Sequence, residues 1–407
     1  MKLLFIDSSR NGWGTETHFV ELVTAVHQAG HDVRAIVRRD SPVDRLLRGS
    51  PIARIATPFR GGADPRALAA VVREIRRDRP DWIVTSRGKL YVPALALGLA
   101  FDVRVALFRH LAYLKHWHEQ RLVPRLADRF YVVSHFAQDV LVEDGAPRER
   151  LTPLYNPIDM QRFRPPAPAE RSALRERLGL RPDELVVGFA GRMEIGKGVV
   201  PLCEAATLLM KRHPALRMLW IGDGPEKTTL ERFAAATAGG ARHVFVGWQP
   251  RVEEYFGALD VLVAPSIVVE TFGRVVAEAQ ACGVPVIASA AGGLSEAFQP
   301  GRTGLLLNQV DTQTICAAIE QLIDDPDLRH TLRSNGRQFV QARFAADKVA
   351  HAFIAHLAAT PLPAAFDLPA PAVAAAASRP STATGAQRAL APLEYPALDE
   401  LVAEHAG

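Results

Sequence analysis

The chain has 407 residues, 48% of them hydrophobic, and a formal net charge of +4 at pH 7. This length allows two domains of ordinary size, and the composition is that of a globular protein. The longest apolar stretch, 91–101, contains Pro93 and is too short to span a bilayer, and the opening MKLLFIDSS is predicted to be a first strand rather than a signal peptide.

The charge is uneven along the chain. Residues 1–165 hold 26 Lys and Arg against 18 Asp and Glu, a net of +8. A basic amino-terminal half indicates an anionic substrate or a membrane surface, and an Arg-rich proteome is an equally open explanation. Nucleic acid is not predicted as a partner, because no known binding motif accompanies these charges.

The cysteines bear on the cellular compartment. Cys203, Cys282 and Cys316 are odd in number and widely spaced, so we expect buried free thiols. No metal-ligand spacing accompanies them. A cytoplasmic location is therefore predicted, with peripheral attachment to the inner face of a membrane as an open alternative.

The first half alternates short apolar runs with segments of helical period, which indicates a parallel sheet covered by helices. The strands are predicted at 3–6, 33–37, 82–85, 103–108 and 130–133. Between the first two lies a Gly-rich loop, where Gly12 and Gly14 allow close backbone approach to a ligand. The following helix is predicted to begin at Thr15–Glu16 and to end at Gly30.

After the run at 103–108 comes a stretch with three histidines and several basic residues, among them Arg109 and His110. A histidine at the carboxyl end of a strand can hydrogen-bond a sugar hydroxyl. The aromatic and basic residues at 113–121 suit either a lipid headgroup layer or an ordinary amphipathic helix. Further on, Ser134 is predicted to cap a helix, and the prolines between 157 and 168 mark an inter-domain linker with a boundary near residue 165.

The second half repeats the pattern, with strands predicted at 185–190, 218–221, 244–246, 261–264 and 284–288. The first strand leads into GRMEIGKG, where Gly191 precedes Arg192 and where Lys197 is five residues further on. Both cations can reach one anionic group and stabilise charge that develops on a leaving diphosphate. The second strand leads into IGDGP, whose Gly222 and Gly224 suit a nucleotide loop.

The stretch 261–289 is predicted as strand, loop, helix and strand, with the helix between Thr271 and Ala281. Amides near Phe272, Gly273 and Arg274 lie at the helix start, where free donors and the positive end of the dipole suit a phosphate. Glu270 and Glu278 bracket this start. A ligand with a central diphosphate and a hydroxyl-rich ring at each end, such as a nucleotide-sugar, fits this layout.

The run ETFGRVVAEAQACGVPVIAS, followed by GGLSE, resembles the signature of the retaining glycosyltransferases of family 4. The resemblance covers roughly residues 1–357. It implies that Glu270 contacts the donor sugar, that Glu278 binds the ribose and that Arg192 and Lys197 bind the diphosphate. It also implies that His110 contacts a sugar hydroxyl, and that Trp248 contacts the base. It further implies that the acceptor is contacted by Trp13, Glu16 and Arg109. Trp13 occupies a glycine position of the usual GGxE loop.

The resemblance further implies an α/β protein of the GT-B fold, in which two Rossmann-like domains face a central cleft. The domains are predicted at 1–165 for the acceptor and 166–340 for the donor, with a helix at 341–359 that crosses back to the first domain. An Ala/Pro-rich flexible tail at 360–407 is predicted to carry a short terminal helix. The Asp325-Pro-Asp327 segment imitates a metal-binding motif but is predicted to be a turn and a helix cap.

The activity expected from the resemblance is retaining transfer of a hexose from an NDP-sugar to a glycan or glycolipid, without a metal or other cofactor. Lipopolysaccharide or another bacterial surface polysaccharide is the expected product. Two alternatives stay open: a catalytically silent GT-B protein that binds sugar nucleotides, and a two-domain NAD-dependent dehydrogenase. The absent third glycine of the IGDGP loop counts against the dehydrogenase.

Overall fold

The computed structural model describes residues 1–10, 14–62, 64–111, 122–237 and 239–360. Trp13, residues 112–121 and the tail from residue 361 lie outside these ranges. The chain forms two compact units. Within the described ranges, the first comprises Met1–Tyr155 and residues 349–360, and the second comprises Asn156–Lys348.

The first unit is built on a seven-stranded parallel sheet in the order β3-β2-β1-β4-β5-β6-β7. The strands are β1 (Lys2–Asp7), β2 (Asp32–Arg38), β3 (Ala53–Thr57), β4 (Trp82–Thr85), β5 (Arg104–Arg109), β6 (Arg129–Val132) and β7 (Leu151–Pro153). Because the order reverses beside β1, the carboxyl ends of β1 and β4 are adjacent, which is where parallel sheets usually bind ligands.

Before residue 155, the described helices of the first unit are α1 (Gly14–Gln28), α2 (Pro42–Leu47), α3 (Pro65–Asp78), α4 (Gly88–Phe101), α5 (Val123–Leu126) and α6 (His135–Glu143). One apolar cluster joins α3, α4, α5 and α6 to the sheet. The chain returns to this unit in α14 (Ala346–Ala358), where the Phe353 ring lies 5.5 Å from the ring of Phe108 and 5.3 Å from that of Tyr131.

The second unit has a six-stranded parallel sheet in the order β10-β9-β8-β11-β12-β13. Its strands are β8 (Leu185–Ala190), β9 (Leu216–Ile221), β10 (His243–Gly247), β11 (Val261–Ala264), β12 (Val286–Ser289) and β13 (Gly304–Leu307). Its helices are α7 (Pro168–Arg177), α8 (Val199–Arg212), α9 (Lys227–Ala235), α10 (Val252–Phe256), α11 (Arg274–Ala281), α12 (Thr312–Asp324) and α13 (Pro326–Arg343).

The predicted linker packs with the second unit rather than the first. The Ile158 N–H donates to the Phe344 carbonyl at 2.8 Å, and the Ala346 N–H donates to the Ile158 carbonyl at 3.0 Å. The second unit therefore starts at Asn156, ahead of the predicted boundary at residue 165.

Several local predictions are confirmed. Ser134 caps α6 by accepting from the Ala137 N–H at 2.9 Å. Asp325 caps α13 by accepting from the Leu328 N–H at 2.8 Å, so the Asp-Pro-Asp segment is a turn and cap. All three cysteines are buried and free. None of the helices in the described ranges combines the length and apolarity that crossing a bilayer demands.

Candidate functional site

The loops that follow β8 and β9 are interlocked at the carboxyl edge of the second sheet. The Gly191 N–H donates to the Ile221 carbonyl at 2.9 Å, and the Met193 N–H donates to the Asp223 carbonyl at 2.9 Å. A Cβ on Gly222 would lie 1.9 Å from the Gly191 carbonyl oxygen, and one on Gly224 would lie 2.2 Å from that of Met193. These glycines are therefore required by contact between the two loops, whatever ligand lies above them.

The loop that carries Lys197 is held beside the loop that carries Glu270. The N–H groups of Ile267 and Val268 both donate to the Gly196 carbonyl, at 2.8 and 2.9 Å. Lys197 Nζ then lies 2.8 Å from Glu270 Oε1. Ser266 Oγ donates to the same carboxylate oxygen. A cation, a carboxylate and a hydroxyl thus converge where β8 and β11 end.

The helix α11 begins three residues later than predicted, at Arg274, with Gly273 as its N-cap. Phe272 is the physical reason, because its ring is buried and packs edge-on against Phe344 at 5.2 Å. Thr271 is half-buried in the preceding loop. The Gly273 carbonyl accepts from the Val276 and Ala277 N–H groups at 3.0 and 3.1 Å, which starts the hydrogen bonding of the helix.

The sequence predicts that Gly273 allows a phosphate to approach the helix start. Its surroundings give a different reason why this residue is a glycine. A Cβ at this position would lie 2.2 Å from Leu294 Cδ1, in the GGLSE turn. The same turn is tied to the Glu270 loop, because the Gly293 N–H donates to the Glu270 carbonyl at 2.7 Å. Packing against the turn therefore accounts for this glycine.

Glu278 lies inside α11 and forms an ion pair on the same helix. Arg274 Nε donates to Glu278 Oε1 at 2.7 Å, and Arg274 Nη1 donates to the Pro157 carbonyl at 3.2 Å. Burial raises the pKa of the Glu278 carboxyl, against the opposing effect of the Arg274 and Arg162 guanidiniums. The ribose role of Glu278 stays a prediction.

Arg192 and Trp248 lie at more open positions. Arg192 Nε pairs with Glu194 Oε2 at 3.1 Å, so Arg192 and Lys197 contact different carboxylates. Trp248 follows β10 directly, and 59% of its surface is exposed. Each of the loops after β8, β9, β10 and β11 thus contributes at least one of the predicted donor residues.

In the first unit, a charged cluster lies where β1 and β4 end. Glu16, in the first turn of α1, is buried and accepts from Arg87 Nη1 at 2.9 Å. Asp7 is fully buried at the end of β1 and accepts from the Ser9 N–H at 2.9 Å. Burial raises the pKa of Asp7, although its bonds to Ser9 and the charge of Arg87 oppose this.

His110 is half-buried just after β5 and contacts a second histidine. Its ring centroid lies 4.4 Å from that of the buried His18, at an interplanar angle of 75°. Arg109 is the last residue of β5, and its Nη1 lies 3.5 Å from the position that a Cβ on Gly88 would take. Gly14 is exposed at the start of α1, while Trp13 and the other two histidines of this stretch lie outside the described residues.

Sequence reasoning missed Asp7, His18, Arg87 and Ser266. The signal for Asp7 was its position directly after an apolar strand. Arg87 lies two residues after the strand at 82–85. Neither position indicates a site by itself, because only the adjacency of β1 and β4 in the sheet brings these two strand ends together.

Both halves of the chain are similar in sequence to known proteins. The sequence model of the "Glycosyl transferases group 1" family matches residues 170–339, and that of "Glycosyltransferase Family 4" matches residues 13–162. The D-inositol 3-phosphate glycosyltransferase of Nocardia farcinica is 38% identical over 214 residues, which are 49% of this chain and 46% of the relative. The chain thus spans about half the length of the curated relatives it matches.

Two solved structures illustrate the fold. Anabaena Alr3699/HepE in complex with UDP and glucose has a TM-score of 0.75 and 24% identity, over 88% of this chain and 100% of that one. WaaG, a glycosyltransferase involved in lipopolysaccharide biosynthesis, has a TM-score of 0.60 and 16% identity, over 86% of this chain and 99% of that one. These likenesses confirm the GT-B fold expected from the sequence. With one family model matching each half, the chain belongs to glycosyltransferase family 4.

Proposed function

We propose that this protein is a retaining hexosyltransferase that moves a sugar from a UDP- or GDP-linked donor to a hydroxyl of a glycan or glycolipid. The observation that carries the proposal is the ion pair of Lys197 and Glu270 at 2.8 Å, three residues before the N-cap of α11. Family membership and the UDP and glucose named for the Anabaena structure support a nucleotide-sugar donor.

On the donor side, Lys197, Arg192 and the start of α11 supply positive charge for a diphosphate. In the ligand-free protein Glu270 compensates the charge of Lys197. When the donor binds, the ammonium turns to the phosphates and the Glu270 carboxylate accepts hydrogen bonds from the sugar hydroxyls. Ser266 keeps that carboxylate in place through its own hydrogen bond.

The reaction we propose is a displacement on one face of the sugar. The bond from the anomeric carbon to the phosphate oxygen breaks, and a bond from that carbon to the acceptor oxygen forms on the same face. The departing phosphate accepts the acceptor's proton, so the products are the glycoside and the nucleoside diphosphate. Cationic side chains at the diphosphate stabilise the charge that the leaving group gains, and we propose that no metal is needed.

For the acceptor, we propose the polar cluster at the carboxyl ends of β1, β4 and β5. His110 is the candidate for a hydrogen bond to the acceptor hydroxyl, and Arg87 and Arg109 add positive charge nearby. A hydroxyl-rich, anionic acceptor fits this chemistry. The inositol phosphate named for the Nocardia relative and the lipopolysaccharide named for WaaG are both of that kind, and we propose a surface glycan or its lipid-linked precursor.

The test is nucleoside diphosphate release and glycoside formation across a panel of donors and acceptors. Glu270→Ala and Lys197→Ala should each lower the transfer rate by at least about 100-fold, the usual cost of removing one transition-state contact. Lys211→Ala, on the exposed side of α8, is the matched control and should retain full activity. Unchanged transfer in either site variant contradicts the proposal.

A catalytically silent sugar-nucleotide-binding protein is the second candidate. Calorimetry that detects donor binding, combined with no donor consumption for any acceptor, would favour it. A nicotinamide-dependent dehydrogenase is disfavoured because the IGDGP loop lacks the third glycine of a dinucleotide-binding motif and because both family models that match the chain are of glycosyltransferases. A titration with NAD and NADP checks this alternative directly.

A further inference from the structure

The outer side of the first unit carries an apolar row on α4. Val92 and Leu99 are 65% and 64% exposed, and Ala96 between them is also exposed. Their spacing puts all three on one face of the helix. Single exposed aliphatic residues are ordinary, whereas three on one face of a helix form an apolar row, and the neighbouring α5 exposes Leu126 as well.

The opposite face of α4 explains why this row faces outward. Leu90, Tyr91, Ala94 and Gly98 are buried against the sheet. A Cβ on Gly98 would lie 2.4 Å from Val105 Cγ2, so the helix lies directly against β5. The helix cannot rotate to bury Val92 and Leu99 without losing this contact.

Basic side chains lie beside the row. Arg66, Arg73 and Arg76 are exposed on α3, and the Arg76 guanidinium lies 5.6 Å from the centre of the Phe101 ring, at the end of α4. Lys89 is exposed one turn before Val92. We call the exposed residues Lys89, Val92, Ala96 and Leu99 of α4 with Arg66, Arg73 and Arg76 of α3 the α3–α4 face.

The acids of these two helices do not neutralise the face. Glu74 and Asp78 of α3 both pair with Arg34, at 3.0 and 2.8 Å. Helix α4 contains no acidic residue, and Asp102 follows at its C-cap. Across the described ranges, no ion pair engages Arg66, Arg73 or Arg76.

We propose that the α3–α4 face docks the protein on an anionic lipid bilayer. Exposed aliphatic side chains beside uncompensated arginines are complementary to acyl chains beneath negatively charged headgroups. Val92 and Leu99 enter the headgroup region, and the arginines of α3 contact the phosphates. The proposal does not depend on the transferase activity, because lipid binding and sugar transfer are measured separately.

The experiment is co-sedimentation of the full chain with vesicles of phosphatidylcholine alone and of phosphatidylcholine mixed with phosphatidylglycerol. The wild type should bind the mixed vesicles, bind the neutral ones weakly, and lose affinity as salt is added. The double variant Val92→Glu, Leu99→Glu should bind at least about tenfold more weakly. Arg73→Gln and Arg76→Gln should each cost about fivefold.

The controls lie on α8 of the second unit. Leu208→Glu and Lys211→Gln change an exposed leucine and an exposed lysine there and should bind like the wild type. Thermal unfolding checks that every variant is folded. Equal binding to both vesicle types, or equal binding by the double variant, overturns the proposal. So does a wild-type dimer that the double variant abolishes, since the face would then bind a second copy of the chain.

Discussion

His243 is a buried histidine whose hydrogen bonds fit only the neutral ring. Trp220 Nε1 donates to His243 Nδ1 at 3.1 Å, and Thr207 Oγ1 lies 3.3 Å from Nε2. The Thr207 hydroxyl itself donates to the Cys203 carbonyl, so Nε2 carries the ring proton and donates to Thr207. Burial, and to a lesser extent the charge of Arg242, lowers the pKa of His243 to about 4.

This geometry predicts a pH-dependent stability. The unfolded chain takes up a proton on His243 near pH 6.5, whereas the folded chain does so only near pH 4. The stabilisation is therefore complete above pH 6.5 and is lost as the pH falls towards 4, by up to about 1.4 kcal/mol per pH unit. Urea unfolding of the wild type and of His243→Gln should show that the difference between their free energies of unfolding becomes smaller as the pH falls from 6.5 to 4. Parallel curves for the two proteins would contradict the assignment.

The residues of the candidate donor site were predicted largely from a sequence pattern. Glu270, Lys197 and Arg192 were named through the resemblance, and the structure adds which of them contact each other. Ser266 was not foreseen, because a serine after a buried strand is common and only its hydrogen bond to Glu270 distinguishes it. The pairing of Glu16 with Arg87 was not foreseen either, since it joins residues 71 positions apart.

Among the secondary-structure elements, strands with continuous apolar runs were the easiest to predict. The strands β4, β8 and β11 have the predicted bounds. Three strands were not predicted: Arg54 interrupts the apolar run of β3, β7 has three residues and ends in Pro153, and β13 begins with a glycine. The start of α11 was misplaced because the Phe272–Phe344 contact is not a local property of the sequence.

The close contact between the loops after β8 and β9 can be tested by replacing each of two glycines with alanine. Gly222 and Gly179 both have positive φ, 137° and 67°, but only Gly222 has a backbone oxygen within contact distance of its would-be Cβ. Gly179→Ala should lower the free energy of unfolding by about 1 kcal/mol, the cost of the left-handed conformation. Gly222→Ala should cost at least about 2 kcal/mol more, because the loops must separate and because alanine tolerates a φ of 137° less well than one of 67°. Equal losses in denaturant unfolding would refute the interlocking.

At the scale of the whole molecule, the chain repeats one architecture twice. Each unit has a parallel sheet whose polar residues gather at the carboxyl ends of its strands. Repetition of strand and helix patterns made this architecture predictable from the sequence. The assignment of the linker to the second unit was less predictable, since it rests on the hydrogen bonds between Ile158 and the chain near Phe344.

If protein cations provide all the charge that a diphosphate needs, the reaction does not depend on a divalent metal. Treatment with EDTA should leave the transfer rate within about twofold of its untreated value, because Lys197 and Arg192 act as the electrophilic groups. A loss of activity that Mg²⁺ or Mn²⁺ restores would show that this part of the mechanism is wrong. The assay is the same glycoside-forming reaction, with the metal dependence as its readout.

Recognition of the diphosphate by the second unit is the central claim, and calorimetry tests it most directly. UDP and UMP, or GDP and GMP if the base is guanine, differ only in the β-phosphate. The diphosphate should bind at least about tenfold more tightly, and Lys197→Met should reduce that ratio to less than about threefold. Equal binding of the two nucleotides, or an unchanged ratio in the variant, would contradict the central claim.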